Sequence, residues 1–549
     1  MMADGVSIPI FTVMLVIFAA VTIFLGLYGY RNTKNNSEFL LGRNKTNPLI
    51  IGLSYGATFL SASAVIGFGG QAATHGLTLM WLCFLNLFVG LFVAFLVFGP
   101  RTRKVGNRLK AATFSDLLGK MYHSKGIRAF TALLIIIMMP IYCAAVLKGG
   151  VNSVAVLTGL TDYYDAILII LAVIVGLYVV YGGIIAVMYN DALQAGIMFA
   201  GMVVILVITF TTLGGVTPAF EALSNMPHDP ASVPGTLPGF NGWTEVASFG
   251  SNEWMLVVTT FLMGVGLGVL TQPQLIVRFM SAKDDRMLNR SLIVGSIFMM
   301  VIVGAAYTSG ALSNVFFMNE HEQTAAYYVG KTLGLGTDFI VPQYILEVFD
   351  GVFGGDFFIC LFLLSLVCAS ISTISALMHT IGAAGGYDLY TIMENHKAKR
   401  DKDSQSVRIN RIVTAVMMVL VVVYCYLMPK EIIAKATSLF MGMTAAALLP
   451  AFCHGLYAKG VPDKMAALAS ITVGTVVYLF WALFINSSMS VFMPVCKWIT
   501  GNAVLFPNTW LAFCDPMVIA LPLSIAVFVI VRLINRSAGK DSQEAPASN

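Results

Sequence analysis

Thirteen stretches of this chain stay apolar for about the 20 residues that a helix needs to cross a bilayer, and a fold surrounded by water cannot absorb so many. They run roughly 8 to 30, 47 to 74, 77 to 99, 129 to 157, 163 to 187, 190 to 214, 253 to 276, 289 to 315, 354 to 388, 407 to 428, 433 to 458, 463 to 486 and 513 to 535. Charged residues are only 11% of the 549, where soluble domains carry about 25%. The expected class is therefore an all-α polytopic membrane protein of about 13 transmembrane helices. The first run follows no basic segment and is too long for a cleaved signal, so it reads as a retained span.

An odd number of spans puts the two termini on opposite faces. Short loops rich in Lys and Arg resist translocation, and with the N-terminus outside, 27 basic residues fall on inner segments against 4 on outer ones. The segment 215 to 252 agrees, holding Glu221, Asp229 and Glu245 without any basic residue. The expected order is an extra helix and inner loop (1–46), five spans (47–214), an outer loop (215–252), five more spans (253–458), two C-terminal helices (459–536) and a cytoplasmic tail (537–549). No aqueous segment is long enough for a catalytic domain, and no GxxxxGK[ST] occurs. The chain reads as no enzyme, and a gradient is the energy source left to it. A net charge of +5, dispersed along the chain, gives no reason to expect nucleic acid. The partners expected are the lipid bilayer and a small organic solute, and no obligate protein partner is evident.

Transport through such a bundle needs backbone carbonyls and helix ends at the bilayer midplane, which lipid tolerates only around a cavity. Two spans look interrupted. The second reads IGLSYGATFLSASAVIGFGGQAATHG, with small residues from Ser61 to Ala64 and then Gly67, Gly69 and Gly70; the seventh carries Gly264, Gly266 and Gly268 at mid-span. Each begins a group of five spans, and two consecutive groups of five point in opposite directions, as inverted repeats must. Close helix packing at small residues is the plainer alternative. The ninth span adds polarity: Ala369, Ser372 and Thr373 stand at i, i+3 and i+4 on one face, with Ser375 nearby. Hydroxyls joined to loosened carbonyls would suit a hard monovalent cation.

The segments FLLGRNKTNPLIIGLSYGATFLSASAVIGFGG, YGGIIAVMYNDALQAG at 181–196, TQPQLIVRFMSAKD at 271–284, and ASIST with a later DLY resemble the sodium:solute symporter family over about Phe39 to Lys464. The resemblance implies a five-plus-five inverted-repeat fold, alternating access and transport driven by inward Na+ flow across the plasma membrane. It places a sodium site on the carbonyls of Ala57 and Leu60 with Ala369, Ser372 and Thr373. Asp191 matches the family's acidic residue, tied to sodium exit or to a second sodium. Members with that second site carry adjacent serines where this chain has Ser375 and Ala376, so one Na+ is expected. The solute cavity is expected at Phe59, Ser61, Ser63, Ala64, Phe68, Leu79, Cys83 and Tyr142. Sugar-transporting relatives have polar side chains where Ser63, Ala64 and Cys83 stand, so a polyol would leave hydroxyls unpaired. A small, fairly apolar solute fits better. A monocarboxylate is the leading candidate; a proton-coupled symporter of the same fold and a Na+ symporter for an amino acid such as proline are the alternatives.

Lys148 lies within a span, where an unpaired lysine costs roughly 2.5–3.5 kcal/mol. It either snorkels to the outer surface or draws an anionic solute into the cavity. His379, on the ion-site helix, reads as a satisfied core histidine rather than a proton relay. Six of the eight cysteines lie in apolar runs. Cys496 and Cys514 flank one loop and read as two free thiols, with a disulfide as the alternative.

Overall fold

The structure, a computed structural model, describes residues 6–33, 36–42, 47–228, 234–393, 402–428, 433–458, 460, 462–487, 493–507 and 509–537. From 538 onward the expected tail lies outside the described residues. Among the described residues there is no strand, and eleven helices are long and apolar enough to cross a membrane. The faces are called outer and inner as the charge split assigns them.

The helices used below, in chain order, are α1 (Ile8–Asn32), α2 (Pro48–Phe59), α3 (Phe68–His75), α4 (Met80–Leu87), α5 (Lys125–Leu157), α6 (Tyr164–Thr212), α7 (Gly264–Gly268) and α8 (Pro273–Ser281). They continue with α9 (Asp285–His321), α10 (Gly355–Ala383), α11 (Lys402–Leu427), α12 (Ile433–Tyr457), α13 (Lys464–Phe480) and α14 (Pro516–Ser537). Two of the eleven long stretches, Ser63–Arg108 and Thr161–Thr212, each cover two of the apolar runs read from the sequence. Each turns at a glycine with positive φ, Gly76 at +69° and Gly183 at +60°. A side chain at Gly183 would meet the Phe39 ring at 2.8 Å, and one at Gly76 would strike the Trp243 backbone. Both bends therefore need the backbone freedom and the small size of glycine.

The second span is broken as expected. Pro48 opens α2 and the Asn47 side chain caps it by accepting from the Leu49 amide; the last helical amide is that of Leu60, reaching Gly56 at 2.8 Å. Leu60 then turns out of the helix (ψ 77°), and Ser61 Oγ accepts the Ser63 N–H at 3.1 Å as the chain starts a new helical path. The seventh span differs from the expectation. Its helical path continues through Gly264, Gly266 and Gly268 and breaks four residues later, at Gln272, where ψ is 114° just before Pro273. The glycines serve contact instead: a methyl on Gly266 would meet Leu85 at 2.8 Å, and one on Gly268 would meet the Met441 backbone at 2.6 Å. Proline decides the break, because it removes an amide and pushes the residue before it out of the helical region.

The two broken spans pack alike. α2 lies against α9, the second helix of the other group, and against α6, whose second half ends its own group; α7 lies against α4 and α12, the counterparts of those two. This approximate two-fold is what paired repeats of opposite direction produce. α1 adds to the α6 and α10 side, while α13 and α14 pair with each other and rest on α12. α10 is enclosed by α5, α6, α11 and α2, whereas α1 and α14 turn apolar side chains such as Phe24 and Ile530 outward, as lipid contact requires. On the outer face the loop before the seventh span folds over the end of α3. There the Leu77 amide donates to Trp243 O at 2.7 Å and the Thr78 hydroxyl to Glu245 O at 3.0 Å.

Candidate functional site

The break in α2 leaves carbonyls without the amides four residues on, and α10 meets them with hydroxyls. Ser372 Oγ donates to Ala57 O at 3.0 Å and to Ala369 O at 3.2 Å; Thr373 Oγ1 donates to Thr58 O at 3.1 Å. Four of the five residues expected at the sodium site, Ala57, Ala369, Ser372 and Thr373, are thus brought together, with every side chain buried. Leu60, the fifth, is buried at the helix end three residues beyond Ala57 and makes no hydrogen bond to Ser372 or Thr373. The carbonyl of Thr58 joins the set, which the sequence reading did not include. A hard cation holds oxygens at about 2.3–2.6 Å, so neighbouring ligands stand about 3.3–3.7 Å apart at right angles. Oxygens 3.0–3.2 Å apart need open by only a few tenths of an ångström to admit one. Among the described residues no cluster of His, Cys, Asp or Glu offers a competing site for a multivalent metal.

One turn further along α10 the polarity changes character. Asp191 on α6 is wholly buried and its Oδ2 accepts from Ser54 Oγ at 2.7 Å, Thr58 Oγ1 at 3.2 Å and an Arg278 amino group at 2.9 Å. Its Oδ1 faces Ser375, whose hydroxyl lies 3.4 Å away and also donates to Ser372 O at 2.9 Å. Arg278 is the correction here. The sequence reading counted it among inner-loop cations, but α8 folds back into the bundle and leaves it 1% exposed, with Nε donating to Ser54 Oγ at 2.9 Å and its amino groups to Thr58 Oγ1 and the Gln274 carbonyl. A buried arginine needs a carboxylate partner, and the acid 87 positions earlier supplies it. No spacing rule marks that pair.

Of the residues expected around the solute, Phe59, Ala64, Phe68, Leu79, Cys83 and Tyr142 belong to the main hydrophobic core, and Ser61 and Ser63 are buried as well. Ser61, Ser63 and Tyr142 are gathered by hydrogen bonds: Ser61 Oγ and the Tyr142 hydroxyl are 3.3 Å apart, and Ser63 Oγ accepts from Thr437 Oγ1 at 2.7 Å. Phe59, Ala64, Phe68, Leu79 and Cys83 contribute apolar surface without a hydrogen bond to that group. Aromatic rings pair within the same core. Tyr142 stacks on Phe440 with centroids 5.7 Å apart, and Phe68 meets Phe261 and Tyr307 edge to face at 5.8 and 6.5 Å. Thr437 and Phe440 escaped the sequence reading, although their i, i+3 spacing in KATSLFMGMT puts both on one face of α12.

Lys148 does not join them. Its amino group donates to the carbonyls of Cys425 (3.0 Å) and Met428 (2.5 Å), closing the end of α11, and it lines an outer cavity with Asn152 and Tyr164. There the lysine acts as a helix C-cap and faces the outer cavity, the direction that snorkelling takes. His379 Nε2 lies 2.9 Å from Phe39 O, a satisfied core contact. Cys496 and Cys514 are buried free thiols.

Comparison with known proteins follows the same lines. The family model described as the sodium:solute symporter family matches residues 39–474. Sodium/proline symporter 2 of Staphylococcus saprophyticus is 27% identical over 87% of this chain and 87% of its own length. The osmoregulated proline transporter OpuE of Bacillus subtilis is likewise 27% identical, over 85% of this chain and 87% of its own. A solved Na+-coupled sialic acid symporter, in a substrate-bound outward-open state, superposes with a TM-score of 0.73 at 16% identity, covering 96% of this chain and 97% of that one.

Proposed function

The chain belongs to the sodium:solute symporter family, and from that premise we propose that its solute is a small zwitterionic amino acid of about proline's size. It is a transporter rather than an enzyme: a Na+-coupled symporter, multi-pass in the plasma membrane, importing a small organic solute.

The observation carrying the solute assignment is the break at Leu60 to Ser63, which presents both poles of a helix dipole to one small space. Carbonyls at the end of α2 are the negative pole and attract an ammonium; the amides that restart the helix after Ser61 are the positive pole and attract a carboxylate. The hydroxyls of Ser61, Ser63, Tyr142 and Thr437 are neutral and can serve either charge, while Phe68, Phe261, Tyr307 and Phe440 enclose an apolar body. A monocarboxylate would use one pole only, and Lys148, which might have supplied its counter-charge, is engaged elsewhere. Two relatives are named for proline.

In the proposed cycle Na+ enters among the Ala57, Thr58 and Ala369 carbonyls and the Ser372 and Thr373 hydroxyls. The hydroxyl protons turn away and their lone pairs face the ion, so α2 and α10 are held by coordination instead of by two hydrogen bonds. Fixing α2 fixes the carbonyls that receive the solute, and coupling is the difference in affinity between the two facing states. Asp191 has its Oδ2 filled by Arg278, Ser54 and Thr58, and Ala376 has no side-chain oxygen to offer. One Na+ per cycle follows. Ser375 and the free side of Asp191 form the next oxygens along the inward path, so the carboxylate assists exit.

Uptake into membrane vesicles at fixed pH tests this, with proline, alanine, pyruvate, acetate and glucose compared under a Na+ gradient and under choline. Proline or alanine accumulating in Na+ alone supports the reading. Pyruvate or acetate accumulating while the amino acids do not overturns the solute assignment.

A further inference from the structure

One buried acid plays no part in this scheme. Asp515, immediately before α14, is 0% exposed. Its Oδ1 accepts the Met517 amide at 2.7 Å, as a helix N-cap does, but its Oδ2 accepts no hydrogen bond. That oxygen points into the seam between the seventh span and α12: a methyl on Gly264 would stand 3.4 Å from Oδ2, and one on Gly442 would stand 3.3 Å from Oδ1 and 2.8 Å from the Tyr478 hydroxyl. Two glycines leave the room that the carboxyl fills.

The three hydroxyls around it are committed elsewhere. Thr259 Oγ1 accepts the Asp515 N–H at 2.8 Å and gives its own proton to Met255 O. Ser438 donates to Ala434 O at 3.1 Å, and Tyr478 points at Ser438 O, 3.5 Å away. Among the described residues of the elements packed on the acid, which are the seventh span, α12, α13 and the approach to α14, Tyr478 and Cys514 are the titratable groups that face it, while Lys435 and His454 of α12 and Lys464 of α13 are not among its partners. An ionised carboxylate here would lack both a counter-charge and a donor for one oxygen, a cost of several kcal/mol. A methyl on Gly264 would also stand 3.7 Å from the Ser438 β-carbon and from Thr259 O, so the carboxyl is closely enclosed on that side.

We propose that Asp515 is a proton-binding site, neutral in the packed arrangement seen here and titrated from the outer face, whose deprotonation loosens the seam between the seventh span and α12. Access is short. Phe513 and Ala434 both line an outer cavity of about 210 Å³, together with His75, Asp338 and Lys435. The proton is not carried across, because its acid stands at the entry of a peripheral helix and away from the sodium oxygens. It sets how far outside pH permits the scaffold to close. The inference does not depend on which solute is transported.

The test uses purified full-length protein, so that no transport substrate is needed. A protonated carboxyl has its own infrared stretching band, and melting temperature reports the seam. The expected result is a band that titrates away as pH rises and is missing in Asp515→Asn, whose melting temperature stays level across the range where the wild type declines. The wild-type titration stands even should the variant fail to fold. A wild-type spectrum with no protonated-carboxyl band at neutral pH, a variant that keeps the band and the decline, or a titration displaced by exchanging Na+ for K+ would each overturn the proposal.

Discussion

Asp191 and Asp515 are both carboxyls wholly enclosed by a membrane bundle, and they are compensated in opposite ways. Asp191 has a guanidinium and two hydroxyls on one oxygen and faces Ser375 with the other. Asp515 has one backbone amide on one oxygen and nothing on the other. The first sits where α2, α6, α8 and α10 meet, beside the proposed ion site; the second sits among the seventh span, α12, α13 and α14. A buried charge is tolerable where an opposite charge and hydrogen bonds meet it, as Arg278, Ser54 and Thr58 meet Asp191. Where no partner exists, the proton is the cheaper companion.

Breaking the pair at Asp191 gives the largest expected effect. Arg278→Met leaves an unmatched buried carboxylate and should cost about 3–5 kcal/mol of stability, read as lost yield or a lower melting temperature. Adding Asp191→Asn to Arg278→Met should recover much of that loss. If the double variant is no better than the single one, the two residues are not a mutually compensating pair, and the contrast with Asp515 fails.

Next in size is the ion site. Ser372→Ala with Thr373→Ala removes two ligand oxygens, and at about 1–2 kcal/mol for each lost polar contact the Na+ concentration for half-maximal uptake should rise more than tenfold. Asp191→Asn alone should mainly slow turnover. A larger shift in Na+ affinity from Asp191→Asn than from the hydroxyl pair would make the carboxylate a primary ligand.

Asp515→Asn should lie within about 1 kcal/mol of wild type at acid pH, where the carboxyl is neutral in the folded and unfolded chain alike, and wild type should fall below the variant as pH rises through the ordinary carboxylate range, where the unfolded acid ionises first. A loss comparable with that of Arg278→Met at acid pH would show that this carboxyl is charged as well. Smallest of all is Lys148→Met. It removes the donor to two carbonyls at the end of α11, about 1 kcal/mol, and should leave the solute concentration for half-maximal uptake unchanged; a severalfold rise would return Lys148 to the solute path.

Much of the candidate ion site, as the meeting of α2 and α10, was legible because its signals are local. Ser372 and Thr373 follow Ala369 on one helical face, and the run from Ser61 to Ala64 advertises a weak helix, so both halves could be found before they were seen to touch. At the seventh span local reasoning chose the wrong residues: glycines that let Leu85 and Met441 approach were taken for the break, while the break waited at Gln272 before Pro273. Glycine composition reports close contact and flexibility alike, and proline is no surer a sign by itself, since Pro140, Pro450 and Pro522 stand inside continuous helices. Arg278 was misplaced for another reason. A long cationic side chain reaches several ångströms from its backbone, and its partner is set by which helix stands beside it.

The amino-acid order alone determined that the chain lives in a bilayer, roughly where it crosses, and which helix had to come apart, since these depend on hydrophobic length and on helix stability over a few residues. Only the tertiary structure decided which acid keeps its charge. Arg278 reaches Asp191, and among the described residues no cationic side chain pairs with Asp515; those facts belong to the neighbours a packed bundle supplies, drawn from segments tens to hundreds of positions apart.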